Sequence, residues 1–159
     1  LDVPFIRERT LRYPGHNKMM RVLRDSGFFS EQSIVVNDRE VRPIDMTAKI
    51  LIDSWKYEQG EADLTVMQVE AEGKLGDEYF RICWDLLDYY DSEADQSSMA
   101  RTTGFPATAM GRMVADGTID IPGVHPPETF GSNDLVVRRL LSELEERNVR
   151  YVKVMESVR

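Results

Sequence analysis

The sequence predicts an α+β fold: a mixed, largely antiparallel sheet with helices packed on one face. Two neighbouring segments, residues 64–72 and 78–90, alternate apolar and polar side chains with the period of two that a strand requires, and a glycine-bearing turn separates them. Residues 43–57 and 132–146 instead place apolar residues three and four apart, the spacing of a helix with one buried side. The chain has 159 residues, 42% hydrophobic and 30% charged, which suits one globular domain over residues 1–159. A domain of that length buries roughly 70% of its unfolded surface without help from metal or disulfide.

Taken in order, residues 3–12 read as a strand, with Val3, Phe5, Ile6 and Thr10 set among charges and Pro14-Gly15 breaking the run. The chain opens on Leu1 rather than Met and alternates almost at once, so further sequence upstream is expected. Residues 17–26 form an amphipathic helix through Met19, Met20, Val22 and Leu23, ended by Gly27. A short strand at 33–36 turns at Asn37-Asp38. Pro43 opens the helix of Ile44, Ala48, Leu51, Ile52 and Trp55, at a first-turn position where its missing N–H costs nothing.

In the second long strand Phe80, Ile82, Trp84 and Leu86 alternate with Tyr79, Arg81, Cys83 and Asp85, and residues 73–77 make the hairpin turn. The opposite face still carries Tyr79, Cys83, Leu87 and Tyr89. Either a helix covers that face or the sheet continues into a second subunit.

Residues 97–115 form a helix in which Ala100, Gly104, Ala107 and Gly111 share one side. Glycine inside a helix costs on the order of 1 kcal/mol relative to alanine. Close approach of another backbone would offset that cost, either from a neighbouring domain or from a tight crossing within this one. Pro106 should end or kink this helix near its start, and Gly117 should stop it. Residues 118–130, rich in Pro and Gly, read as an ordered loop. Ser132 or Asn133 caps a last helix whose buried stripe is Leu135, Val136, Leu140, Leu141 and Leu144, before a final strand at 151–155.

Several function classes fall away on composition. The net charge is −8, from 20 basic and 28 acidic residues, which opposes binding to nucleic acid or to anionic lipid. No apolar run nears the ~18 residues of a membrane helix. Cys83 is the one cysteine, so an internal disulfide is impossible, and a cytoplasmic location is expected. At mid-strand it reads as a small hydrophobe before a reactive thiol. His16 and His125 have no second ligand at metal spacing, and no P-loop, dinucleotide fingerprint or serine elbow is present. The acidic run Asp85, Asp88, Asp91, Glu93 and Asp95 reads as a solvated strand end.

Chemistry is suggested by Thr10-Leu11-Arg12-Tyr13-Pro14-Gly15-His16, where an extended segment gives way to a helix start. N–H groups at such a start attract carboxylates, and a guanidinium grips them with two parallel hydrogen bonds. An arginine capping a sheet edge is the plainer reading.

That segment, with Met20, Leu23 and Gly27-Phe28-Phe29, resembles the second domain of saccharopine dehydrogenases of the glutamate-forming reductase type and of lysine 6-dehydrogenases. Met99-Ala100-Arg101-Thr102-Thr103-Gly104-Phe105-Pro106, Asp116-Gly117-Thr118-Ile119 and Pro122-Gly123-Val124-His125-Pro126-Pro127-Glu128 are similar to the C-terminal stretch of the same family. The resemblance implies an oxidoreductase acting on CH–NH donors, with NAD or NADP held by an N-terminal Rossmann domain and not by this fragment. It implies that Thr10, Leu11 and Arg12 contact an amino-acid substrate, Arg12 through a carboxylate. It also implies a homodimer, and docking of residues 97–130 on the Rossmann domain. His16 departs from the aromatic residue of saccharopine reductases and favours the lysine 6-dehydrogenase branch. The competing expectation is a non-catalytic module that keeps the fold for dimerisation or ligand sensing.

Overall fold

The computed structural model describes residues 3–58 and 60–158 and has the expected α+β character. The chain divides into two compact units, Leu1–Glu58 and Gln59–Arg159.

In the first unit, helix α1 (His16–Asp25) starts from Gly15, whose φ of 94° lies in the left-handed region that glycine tolerates. It ends in a Schellman closure: Phe28 N–H donates to the Leu23 carbonyl and Gly27 N–H to that of Arg24, both at 3.0 Å, with Gly27 at φ 86°. Strands β1 (Ile34–Val36) and β2 (Arg39–Val41) pair antiparallel across Asn37 and Asp38, at φ 49° and 60°. Two positive φ values in a two-residue loop are what the twist of a tight hairpin demands. Helix α2 (Pro43–Trp55) carries Pro43 in its first turn and buries Thr47, whose hydroxyl donates to the Phe28 carbonyl at 2.8 Å. That bond ties α2 to the exit of α1.

The second unit is built on a three-stranded antiparallel sheet in the order β3 (Leu64–Leu75), β4 (Glu78–Tyr89), β5 (Tyr151–Ser157). The register places Met67, Leu86 and Tyr151 in one row, and Val66 opposite Leu87 in the next, on the other face. Helices α3 (Ser98–Ala115) and α4 (Asp134–Glu145) pack on the Leu86 face, with a 3-10 turn (Pro127–Phe130) between them. One apolar cluster joins Leu86, Leu144 and Val149 with Phe105 and Tyr151; a second joins Met113, Ile119, Phe130 and Val136. Leu140 packs against both and makes them continuous. Burying a leucine or methionine of this kind contributes about 1.5–3 kcal/mol. Asn133 caps α4, its side-chain oxygen accepting from the N–H groups of Leu135 and Val136.

Five sequence expectations change. Residues 3–12 form no strand: they enter no ladder among the described residues, and Phe5, Ile6 and Leu11 are 74%, 79% and 78% exposed. Alternation alone cannot make a strand when no neighbour accepts its N–H groups. Strand β2 was not expected, because three residues reading Arg-Glu-Val carry no pattern. The hairpin turn is tighter than 73–77, since β3 runs on to Leu75 and only Gly76 and Asp77 are left in it. Pro106 does not end helix α3, which continues to Ala115; packing of the helix on the sheet outweighs the lost i−4 hydrogen bond. Leu135 is 64% exposed, because the buried stripe of α4 follows Val136, Leu140 and Leu144.

Candidate functional site

In the first unit, the segment before α1 presents its side chains outward. Thr10 donates its hydroxyl to the Glu8 carboxylate at 2.9 Å, and Arg12 Nη1 donates to the Leu11 carbonyl at 3.0 Å. Tyr13 is 84% exposed. The chain then turns, with His16 N–H on the Tyr13 carbonyl at 3.2 Å and Met19 N–H on that of Gly15 at 3.1 Å. No side chain caps α1 and no acidic residue sits in its first turn. The helix start therefore keeps its partial positive charge, and Arg12 and Lys18 add formal charge nearby in sequence. The His16 ring lies 5.9 Å from Trp55, tilted by 48°. Thr10, Leu11 and Arg12 thus lie together on one exposed stretch.

The second unit fixes the start of α3 with a polar web that is buried around Ser98, Asp88 and Arg101. The Asp63 carboxylate accepts from the N–H groups of Ser98 (2.6 Å) and Met99 (2.9 Å), and Ser97 Oγ from Ala100 N–H (3.1 Å). Carboxylate and hydroxyl caps satisfy donors that the helix itself leaves open. Ser98 Oγ donates to the Asp88 carbonyl at 3.1 Å and lies 2.8 Å from Thr65 Oγ1, whose hydroxyl can donate to it. One turn on, Arg101 reaches Asp88, Asp91 and the Arg147 carbonyl, and its guanidinium lies 5.6 Å from the Phe105 ring centre. Hydrogen bonds from the Ala94 N–H first, and then from Glu93 N–H and Arg101, hold the Asp91 carboxyl below its usual range against the opposing effect of desolvation.

With one end anchored, the small-residue side of α3 stays bare. Ala100, Ala107 and Gly111 are exposed and Gly104 is half-buried. A Cβ added at Gly104 or Gly111 would meet no heavy atom within 4 Å beyond the helix's own backbone. The tight crossing, one of the two readings of this stripe, is absent among the described residues of the second unit. Further along, Arg112 and Arg139 both bind Glu143, and Arg139 reaches Asp116 at 2.6 Å, lacing α3 to α4.

The remaining candidates resolve as structure. Desolvation, then the Asp85 charge, pushes the Cys83 thiol up, away from reactivity. The acidic run is not simply a solvated strand end: Asp88 is 4% exposed and holds Arg101. The pair carries no sequence signal, because Asp88 sits in the acidic run and Arg101 in the Met99–Pro106 motif, 13 residues apart. Among the described residues no group of histidine, cysteine and carboxylates could hold a metal ion. His125 Nε2 lies 3.0 Å from the Pro122 carbonyl and the ring meets Phe130 edge-on, so it braces the 118–130 loop. No helix among the described residues is long and apolar enough to cross a membrane.

Comparison with known proteins matches residues 2–149 to the family described as saccharopine dehydrogenase C-terminal domain. The chain is 31% identical over 112 residues to the saccharopine dehydrogenase (NADP+, L-glutamate-forming) of Schizosaccharomyces pombe, covering 69% of this chain and 24% of that protein. Its counterpart in Saccharomyces cerevisiae is 29% identical over 114 residues, covering 72% and 25%. That of Pyricularia oryzae is 30% identical over 121 residues, covering 71% and 26%. The chain thus spans about a quarter of the length of these relatives.

Proposed function

From the premise that the chain belongs to the saccharopine dehydrogenase C-terminal domain family, we propose that it forms the substrate-contacting and subunit-contacting part of a nicotinamide-dependent amino-acid oxidoreductase. The family match over residues 2–149 carries this reading. The relatives are named for NADP+, so NADP is the expected cofactor, held by a nucleotide-binding region outside this chain. The cofactor performs hydride transfer to or from an amine-bearing carbon; this part supplies geometry and charge. Arg12 pairs with a substrate carboxylate, while Thr10 and Leu11 line the same stretch. The bare side of α3, with residues 97–130, docks on the nucleotide-binding region. Two backbones meet closely there, and the small residues Ala100, Gly104, Ala107 and Gly111 make that possible.

The test is turnover by the full-length protein. With saccharopine and NADP+, absorbance of the reduced cofactor should rise together with released glutamate. Turnover with lysine and none with saccharopine would move the substrate to the lysine 6-dehydrogenase type, as His16 suggests. No turnover with any amine, despite bound cofactor, would count against an oxidoreductase.

A second reading is a dimerisation or ligand-sensing module. It is favoured by the helix-free face of the sheet, where Leu64, Val66, Leu87, Tyr89 and Val152 are each half or more exposed. A dimer without turnover would support it.

A further inference from the structure

We draw no further inference here: the strongest candidate, the uncovered stretch of the β3–β4–β5 sheet that carries Val69, Ile82, Trp84 and Met155 beyond the reach of α3 and α4, is an unpartnered apolar face, and nothing in the structure shows what covers it.

Discussion

Arg101 and Asp88 form a buried ion pair: Nε and Nη2 each lie 3.3 Å from a carboxylate oxygen, and the two side chains are 7% and 3% exposed. The remaining nitrogen, Nη1, reaches Asp91 at 2.8 Å, so all three nitrogens of the planar fork are engaged. Removing one partner strands the other charge away from water. Arg101→Ala should therefore cost about 3–5 kcal/mol of folding stability, and Arg101→Lys should recover only part of it, because a point charge cannot fill the fork. Urea unfolding measures both. Equal midpoints for Arg101→Lys and the native chain would show that the fork geometry contributes nothing.

Acid should weaken the unit that α3 and α4 close. Asp116 is held well below its ordinary 3.8 by hydrogen bonds from Arg139 first and then Thr118. Glu143 is held below its ordinary 4.5 by Arg112 first, with Arg139 adding to it and desolvation opposing. A carboxyl depressed in the folded state stabilises above its unfolded pKa. That contribution is lost as pH falls from about 4.5 through the folded value. Thermal midpoints should be flat from pH 7 to 5 and drop below 4.5, and the drop should be shallower in Asp116→Asn. A midpoint that rises on acidification would contradict the sign.

Gly111 separates folding from docking. Its helical position and open surroundings make Gly111→Ala stabilising for this chain by about 0.5–1 kcal/mol. In the full-length protein the added methyl should hinder the proposed docking of a nucleotide-binding region on α3 and lower turnover. Thermal unfolding of the chain and steady-state kinetics of the whole protein read the two effects. Unchanged turnover would leave the α3 side without a docking role.

Local pattern made much of this fold legible. The β3–β4 ribbon could be read because Phe80, Ile82, Trp84 and Leu86 alternate over a length that few helices could mimic. Helix α2 could be read because Pro43 opens an unbroken apolar spacing. Where packing decides, reading failed. Residues 3–12 have the alternation of a strand but no ladder, and Pro106 has the chemistry of a breaker but sits inside α3. The Arg101–Asp88 pair joins residues on different elements, and no periodicity announces such a partnership. The Thr10–Arg12 stretch stood out by its helix start and guanidinium, but an exposed arginine beside a turn is commonplace, and its assignment to a substrate comes from the family resemblance.

The most direct test compares Arg12→Ala with the native residue in the full-length protein, measuring KM for the amino-acid substrate and Kd for the nicotinamide cofactor side by side. Loss of a charge-assisted contact worth about 1.5–3 kcal/mol should raise KM roughly 10- to 100-fold. Cofactor Kd should stay within about twofold of native, because the proposed place of the cofactor is a region outside this chain. An unchanged KM, or a Kd that moves in step with it, would contradict the assignment of Arg12 to the substrate.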